Sequence, residues 1–370
     1  MKLGRVVLAG GGTAGHVNPL LATADELRSG GSDIRVIGTE EGLEKDLVPA
    51  AGYRLISIPK APIPRRPSVE LFRFPGKLSA AVKRAKAVIA GSDVVVGFGG
   101  YVAAPAYVAA KSLGVPFVVH EQNAKPGWAN KLGAKNAAAV GLTFRDTELY
   151  AKQGFTEVTG MPLRRSIVQL GKERETGEGA REARVRAAQA FGLDPDLPTL
   201  LITGGSQGAA KLNSTFASAA ADFPAGVQVL HVAGAGKAKE VLAEIGEDPV
   251  VPWVVKEYLE EMDRAFALAD LVVSRAGAGA VSELMFLGIP SVYVPFPIGN
   301  GEQALNARDQ VEAGGALLVD DEDLDAGVVS DVVIPLLLDP EALSEMAKRS
   351  RAVSPGDGAK NLVRLIEVAT

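Results

Sequence analysis

Short runs of β-branched and other apolar residues alternate along the chain with longer, alanine-rich stretches of helical character. Short strands separated by helices are typical of α/β proteins with parallel sheets. The first half of the chain predicts strands at 6–9, 34–37, 55–58, 94–97, 117–120 and 139–142. The second half predicts strands at 199–203, 227–232, 251–255, 271–273, 291–294 and 316–319. The pattern therefore indicates two similar α/β halves.

Both halves open with a buried strand that runs into a glycine-rich turn and then into a helix. The first turn belongs to GGGTAGHVNP (10–19) and the second to GGSQGAAKLN (204–213). Such a turn leaves backbone N–H groups and the positive end of a helix dipole available to an anionic ligand. We therefore expect two Rossmann-like, doubly wound parallel-sheet domains that face each other across a ligand-binding cleft.

Composition narrows the class of protein further. At 370 residues the chain is longer than one hydrophobic core usually supports, which agrees with two domains. The absence of cysteine excludes disulfides, thiolate metal sites and cysteine nucleophiles. A net charge of -5 gives no reason to expect nucleic-acid binding. The first strand begins at once and no apolar stretch is long enough to span a membrane, so we expect a cytoplasmic protein without a signal peptide.

The glycines of the first turn allow two other interpretations. Gly10, Gly12 and Gly15 match the G-x-G-x-x-G spacing of dinucleotide-binding folds. Glu40, after the second predicted strand, stands where a ribose-binding acid would be expected. A nicotinamide-dependent oxidoreductase is therefore one alternative, and a glycine turn without a ligand is another. His16 adds a polar group that a ligand-free turn does not need.

Three further segments carry groups suited to a nucleotide or a sugar. The second turn has neither the spacing nor the hydroxyl residue of a Walker A motif, but Ser206 can bond a phosphate oxygen or cap the following helix. Glu283, within the first turns of the helix after strand 271–273, can accept two hydrogen bonds from a ribose diol or stabilise the helix dipole. The next predicted helix carries three groups that can discriminate sugar hydroxyls: Glu302, Gln303 and Asn306.

Six separated segments form a recognisable set. They are GGGTAGHVNP (10–19), FGGYVAAPA (98–106), HEQN (120–123), GGSQGA (204–209), RAGAGAVSE (275–283) and GEQALNA (301–307). In this order, and over nearly the whole chain, they resemble the peptidoglycan N-acetylglucosaminyltransferases, a family of enzymes with the GT-B fold. HEQN and GGSQGA are the specific segments of this resemblance.

The resemblance implies domain boundaries and a reaction. It places an acceptor-binding, membrane-facing domain at 1–162, completed by a C-terminal helix at 355–370. A UDP-GlcNAc-binding domain follows at 163–354, with the charged stretch 171–186 as a solvated connection or surface helix. The reaction would transfer N-acetylglucosamine from UDP-GlcNAc to the MurNAc 4-hydroxyl of undecaprenyl-pyrophosphoryl-MurNAc-pentapeptide (lipid I), giving lipid II.

The resemblance also implies which residues meet the donor UDP-GlcNAc. Donor contacts would come from the first turn, from HEQN, from Arg164 at the start of the second predicted domain, and from the second turn. The second domain would place one backbone near the uracil, one helix start around the ribose and sugar, and one amide against the GlcNAc hydroxyls. Carried over position by position, the donor-binding residues are Thr13, Ala14, Gly15, Asn123, Arg164, Ser206, Leu259, Ala278, Gly279, Ala280, Val281, Ser282, Glu283 and Gln303.

An α-linked donor and a β-linked product imply inversion through one in-line displacement. His16 is our choice for the base because imidazole titrates near neutrality. Glu121 competes, because burial can raise the pKa of a carboxyl group into the working range. Arg164, Ser206 and helix N-termini would stabilise the UDP leaving group, so we expect neither an obligatory metal nor another cofactor. If His16 and Glu121 were both structural, the chain would be a silent nucleotide-sugar-binding protein.

The segment 60–86 departs from the acidic character of the whole chain. It combines the apolar residues Leu71, Phe72, Phe74 and Leu78 with eight lysines and arginines. Apolar side chains flanked by cations suit docking onto an anionic membrane surface, while a core-packed helix with a solvated basic face is the alternative. We predict that this segment binds the protein peripherally to the cytoplasmic face of the cell membrane.

Overall fold

The structure is a computed structural model that describes residues 3–61, 69–205, 208–297 and 301–370, with the backbone alone at 69–73. The chain folds into two compact units. The first unit comprises Met1–Arg164 together with Pro355–Thr370, and the second comprises Arg165–Ser354.

Strands and helices alternate in the first unit. Its strands are β1 (Arg5–Ala9), β2 (Asp33–Gly38), β3 (Arg54–Ser57), β4 (Val94–Gly97), β5 (Phe117–Glu121), β6 (Ala139–Leu142) and β7 (Phe155–Val158). The helices between them are α1 (Ala14–Ser29), α2 (Glu44–Ala50), α3 (Val69–Ile89), α4 (Gly100–Leu113) and α5 (Trp128–Gly133).

The second unit repeats this alternation. Its strands are β8 (Thr199–Thr203), β9 (Gln228–Val232), β10 (Trp253–Lys256), β11 (Leu271–Ser274), β12 (Ser291–Tyr293) and β13 (Ala316–Leu318). Its helices are α6 (Arg165–Glu173), α7 (Gly177–Phe191), α8 (Ala210–Ser218), α9 (Ala238–Ile245), α10 (Met262–Leu268), α11 (Ala278–Leu287), α12 (Glu302–Glu312), α13 (Ala326–Val328), α14 (Ile334–Leu337) and α15 (Pro340–Val353). A 3₁₀ turn at Ala220–Asp222 and a π-helical turn at Val329–Val333 complete it, and the final helix α16 (Gly358–Ala369) returns to the first unit.

Each unit contains one parallel sheet. The strand order is β3-β2-β1-β4-β5-β6-β7 in the first unit and β10-β9-β8-β11-β12-β13 in the second. The order reverses between β1 and β4 and again between β8 and β11. In doubly wound sheets, ligands bind at such switch points, beyond the carboxyl ends of the strands.

Alternate side chains of the strands pack into cores on both faces of the first sheet. Val6 and Leu8 of β1 lie in one cluster, and Val7 lies in the other. The final helix α16 completes the first of these clusters through Leu362 and Leu365, which are buried. Strands buried on both faces are continuous apolar runs, which is why the sequence predicts them clearly.

The predicted α/β fold class, with two doubly wound parallel sheets, is confirmed. Each of the twelve predicted strands corresponds to an observed strand, with ends displaced by at most two residues. The strand β7 was not predicted. It lies at the edge of the sheet, and its Phe155 and Val158 are exposed, so it lacks the apolar run of a central strand.

The charged stretch 171–186 falls within α6 and α7 rather than in an extended loop. Thr176 caps α7 by accepting a hydrogen bond from the N–H of Gly179 at 3.1 Å. Arg184 of α7 forms an ion pair with Asp270 at 2.8 Å. Part of this stretch is therefore packed against the rest of the second unit. Within the described parts of the chain, none of the helices has the length and apolar character needed to cross a membrane.

Candidate active site

The first glycine turn joins β1 to α1 and places His16 in the first turn of the helix. Thr13 is the N-cap of α1, and its carbonyl accepts hydrogen bonds from the N–H groups of His16 and Val17, each at 3.1 Å. The Thr13 hydroxyl does not cap the helix, because its Oγ1 lies 3.0 Å from His16 Nδ1 instead. Thr13, Ala14 and Gly15 therefore form an accessible turn that leads to the histidine.

The His16 ring lies against the turn that follows β4. Gly99 and Gly100 in this turn have φ of 87° and 72°, which glycine adopts without strain. A Cβ atom at Gly99 would lie 3.3 Å from His16 Nε2, so a side chain there would press on the ring. Two glycines without side chains therefore let the two turns at the switch point approach each other.

Burial lowers the pKa of His16 below its ordinary value of 6.5, and the negative charge of Glu44 partly offsets this shift. The lowered pKa keeps the imidazole neutral at neutral pH, which is the state that accepts a proton. When Nδ1 donates to Thr13 Oγ1, the free lone pair lies on Nε2. In this tautomer His16 can act as a general base through Nε2.

Glu121, the other candidate base, lies at the end of β5 and is 2% exposed. Its Oε1 accepts the N–H of Asn123 at 3.1 Å, and its Oε2 accepts the N–H of Gly127 at 3.0 Å and Nδ2 of Asn130 at 2.9 Å. Burial raises the pKa of this carboxyl, and the hydrogen bonds oppose the shift. Three N–H donors on a buried carboxylate indicate that it shapes the loop 121–127, which favours His16 as the base.

Of the other HEQN side chains, His120 and Gln122 are buried and Asn123 is half-buried. His120 donates from Nε2 to the carbonyl of Gly160 at 3.0 Å and accepts at Nδ1 from Gln122 Nε2 at 3.0 Å. Burial lowers the pKa of His120 to about 4, so the ring is neutral and its hydrogen bonds are complete. Asn123 is half-buried, and of the HEQN side chains it is the one suited to meet a ligand.

Asn130 on α5 bonds one candidate base and lies near the other, and the sequence analysis did not identify it. Its Nδ2 donates to the His120 carbonyl as well as to Glu121, and its Oδ1 accepts from the buried Tyr107 hydroxyl at 2.8 Å. A Cβ atom at Gly99 would lie 3.2 Å from the same Nδ2. His16 and Asn130 therefore border the same glycine. The sequence holds no signal for this role, because the contact forms between β5, α4 and α5.

Glu44 on α2 is a second residue beside the candidate site that the sequence analysis did not identify. It is fully buried, and its Oε2 accepts the N–H of Gly12 in the first turn at 2.8 Å. Glu40, which the dinucleotide interpretation assigned to a ribose, is exposed. The acid next to the first turn is therefore Glu44, and its carboxylate is held by the protein.

The second glycine turn, between β8 and α8, needs glycine for packing. A Cβ atom at Gly208 would overlap the carbonyl of Ala233, and one at Gly204 would overlap Ala209. Gly205 has a φ of 77°. Ser206, the predicted phosphate-binding residue of this turn, lies outside the described residues, so its role stays a prediction.

The predicted donor-binding stretch 278–283 forms the first six residues of α11. The helix begins with N–H groups that have no acceptor within it. Ser274 at the end of β11 and Ser282 on α11 each bury a hydroxyl that has no hydrogen-bond partner among the described residues. Glu283 lies in the second turn, so the alternative role as a first-turn dipole acid is wrong. These polar groups suit a ligand with hydroxyl and phosphate groups.

Gln303, the second residue of α12, is tied to the segment before it. Its Oε1 accepts the N–H of Phe296 at 2.9 Å, so its NH₂ group is the part that can donate to a sugar hydroxyl. Arg275 holds the start of this segment, because its Nη1 donates to the Val294 carbonyl at 3.0 Å and to the Asp321 carboxylate. The orientation of the Gln303 side chain is thus set in part by its hydrogen bond to Phe296.

Leu259, Arg164 and Asn306 are three further residues that the sequence analysis singled out. Leu259 is half-buried and follows β10, and Arg164 is half-buried at the end of the first segment of the first unit. Asn306 Nδ2 donates to the carbonyl of Ala276 at 3.3 Å, which joins α12 to the turn before α11. Among the residues that the structure describes, no three histidine, aspartate or glutamate side chains come together as a metal site would require.

Two parallel doubly wound sheets, each with a glycine turn at its switch point, are the architecture of the GT-B fold, to which many glycosyltransferases belong. Comparison with known families supports this class. The glycosyltransferase family 28 N-terminal domain matches residues 6–142, and the glycosyltransferase family 28 C-terminal domain matches residues 199–362.

Two curated relatives are named UDP-N-acetylglucosamine–N-acetylmuramyl-(pentapeptide) pyrophosphoryl-undecaprenol N-acetylglucosamine transferase. The one from Clavibacter sepedonicus is 51% identical over 98% of this chain and 96% of its own length. The one from Streptomyces coelicolor is 46% identical over 98% of this chain and 97% of its own length.

Two solved structures are also similar. The crystal structure of Acinetobacter baumannii MurG has a TM-score of 0.78 at 27% identity and covers 99% of both chains. The UDP-GlcNAc 2-epimerase from Neisseria meningitidis has a TM-score of 0.68 at 14% identity over 98% of this chain and 99% of its own, and shows the fold alone.

The chain belongs to glycosyltransferase family 28, and within it to the MurG transferases. The predicted resemblance is confirmed, and the chain is a glycosyltransferase rather than a nicotinamide-dependent oxidoreductase or a silent binding protein.

Proposed function

We propose that the protein transfers N-acetylglucosamine from UDP-GlcNAc to the MurNAc 4-hydroxyl of lipid I and gives lipid II with inversion at the anomeric carbon. The near full-length relatives named for this transfer support the choice of donor and acceptor. Within the structure, the observation that carries the proposal is the placement of His16. It is a neutral imidazole on an accessible turn at the switch point of the first sheet.

The reaction needs one proton acceptor and one stabilised leaving group. His16 Nε2 takes the proton of the acceptor hydroxyl while the hydroxyl oxygen attacks the anomeric carbon of the donor. The bond from this carbon to the diphosphate oxygen breaks, and its electron pair leaves with UDP. Glu121 orients the loop that carries Asn123 instead of accepting the proton.

The UDP part of the donor is held by the second unit. The N-terminus of α11 supplies N–H groups, Ser274 at the end of β11 and Ser282 on α11 supply hydroxyls, and Gln303 donates to the GlcNAc hydroxyls. Arg164 neutralises part of the charge that develops on the diphosphate, and the Ser206 hydroxyl donates a hydrogen bond to it. Such fixed dipoles and charges are effective because they need no rearrangement during the reaction.

A transfer assay with UDP-GlcNAc and a short-chain lipid I analogue tests this function. We expect the lipid analogue to gain one N-acetylglucosamine and so to carry a disaccharide. In a thermal-shift assay, we expect UDP and UDP-GlcNAc, but not NADH, to raise the melting temperature of the protein. Stabilisation by UDP-GlcNAc without any product would contradict the assigned acceptor, and stabilisation by NADH alone would contradict the donor.

We also propose that the protein is cytoplasmic and binds peripherally to the inner face of the cell membrane through the segment 60–86. In the described part of α3, Lys77, Lys83 and Arg84 are exposed, whereas Ala81 and Ala85 lie in the core. Phe74, one of the four apolar residues that the sequence analysis assigned to membrane docking, packs against this core instead. The helix thus presents a basic face to solvent, while residues 62–68 and the side chains of 69–73 lie outside the described residues.

Reversing three of these charges should weaken membrane binding. With about 1 kcal/mol for each cation near an anionic surface, the variant with Arg73, Lys77 and Lys83 changed to Glu should partition about 100-fold less onto phosphatidylglycerol-containing liposomes in a sedimentation assay. The matched control changes the exposed Lys111, Lys239 and Lys348 to Glu. Equal loss of binding in both variants would show that net charge, and not this segment, determines docking.

A further inference from the structure

We propose that Glu44 is a positioning residue for the transfer, which fixes the turn that carries His16 and places a buried negative charge next to this turn. The proposal rests on the proposed function, in which His16 is the base.

The Glu44 carboxylate connects the loops that follow two adjacent strands. Its Oε2 accepts the N–H of Gly12, after β1, at 2.8 Å. Its Oε1 accepts both the N–H and the hydroxyl of Thr39, after β2, at 3.0 Å and 2.8 Å. The turn that leads into His16 is therefore fastened to its neighbouring loop by a buried charged group, and hydrogen bonds to charged groups are the stronger ones.

Three glycines leave the space that this side chain occupies. A Cβ atom at Gly11, Gly38 or Gly42 would overlap the carboxylate or the side-chain carbons of Glu44. None of the three has the positive φ that would explain glycine by backbone conformation. The fold thus keeps room for one carboxylate at this place, and Gly11 in the first turn is accounted for by Glu44 rather than by a ligand.

The negative charge of Glu44 acts on His16, where it raises the pKa of the imidazole against the larger effect of burial. Among the described residues, no lysine or arginine forms an ion pair with Glu44. The charge of Glu44 also contributes to raising the pKa of Lys60, but Lys60 forms its ion pair with Glu41, at 2.7 Å. The other titratable groups around the turn are Tyr101 on α4, which covers Gly12, and the buried Glu121 at the end of β5. When His16 becomes an imidazolium during transfer, Glu44 is the anion that stabilises it.

Two measurements on Glu44→Gln separate this role from a purely structural one. The glutamine side chain has nearly the shape of glutamate but no charge. Its NH₂ group, a donor, would face one of the donors that the Glu44 carboxylate accepts. We expect kcat to fall by about 10- to 100-fold, with the acid limb of the kcat–pH profile displaced to lower pH because the pKa of His16 falls further. Glu41→Gln, which removes an exposed acid of the same loop, should leave both unchanged.

The second measurement needs no substrate. The chain has three histidines, and burial lowers the pKa values of His120 and His231 to about 4, so the His16 ring protons can be followed separately by NMR during a pH titration. An unchanged His16 titration in Glu44→Gln would overturn the proposal even if kcat fell. This titration succeeds or fails independently of whether lipid I is the acceptor.

A second variant covers the case in which Glu44→Gln does not fold. Glu44→Asp keeps the charge but cannot reach both loops. We expect its kcat to be at least 10-fold lower, with the acid limb of the profile near that of the wild type. A kcat equal to that of the wild type in this variant would overturn the positioning role.

Discussion

Replacing His16 with alanine is expected to lower kcat for transfer by about 10²- to 10⁴-fold, the usual contribution of a positioned general base. The Kd for UDP should stay close to that of the wild type, because the proposed contacts to UDP lie mainly in the second unit. Steady-state kinetics with a lipid I analogue and calorimetric titration with UDP measure the two effects. The kcat should fall while UDP binding persists.

The pH profile of the wild-type enzyme gives a second test of the same assignment. A general base must be deprotonated, so kcat is lost as pH falls through the pKa of that base in the complex. Since burial lowers the pKa of His16 from its ordinary value of 6.5, we expect the acid limb to lie below 6.5 in the free enzyme, as measured by kcat/KM.

Asn18→Ala provides the control for His16→Ala, because Asn18 is a half-buried polar residue of the same helix start. It should retain most of the activity. A near-normal kcat in His16→Ala, together with a collapse of kcat in a well-folded Glu121→Gln variant, would assign the base to Glu121 instead.

Replacing Glu121 with glutamine is expected to lower the free energy of unfolding by about 2–3 kcal/mol, the cost of leaving buried donors unsatisfied. The three groups that Glu121 accepts are all N–H donors, so the new NH₂ group must oppose one of them. Urea unfolding followed by fluorescence measures this loss. Transfer activity should also fall, because the loop that carries Asn123 loses its anchor.

The exposed Glu148 of the same unit provides the control for this change. Glu148→Gln should alter the free energy of unfolding by no more than about 0.5 kcal/mol, as is usual for surface substitutions. If Glu121→Gln instead kept the stability of the wild type but lost kcat, a direct role for this carboxylate in proton transfer would replace the positioning role.

Much of the fold follows from the sequence by itself. Central strands such as β4 and β8 are buried on both faces, so their apolar runs are continuous and the sequence predicts their position. Glycine turns after β1 and β8 mark the start of each sheet. These signals are local, because a strand or turn of this kind is encoded by a few adjacent residues. The edge strand β7 lacks such a signal, since its side chains are partly exposed.

For the candidate site, too, the sequence determined some features and the tertiary structure determined others. His16, Glu121 and the stretch 278–283 stand in recognisable segments, so the sequence determined which residues to consider and which family they indicate. Their environments were decided by the tertiary structure. Glu121 meets Asn130 only because α5 packs beside β5, and this contact is part of the reason that we propose an anchoring role for its carboxylate.

Glu44 and α16 show the same dependence on long-range packing. The sequence places Glu44 at an ordinary helix start, and only the pairing of β1 with β2 brings its carboxylate under Gly12. The helix α16, at the far end of the chain, enters the core of the first unit through Leu362 and Leu365. Local sequence therefore determined the strands, the turns and the family of this protein. Burial, charge and hydrogen-bond partners at the site were decided by the tertiary structure, because they arise between segments that are distant in the chain.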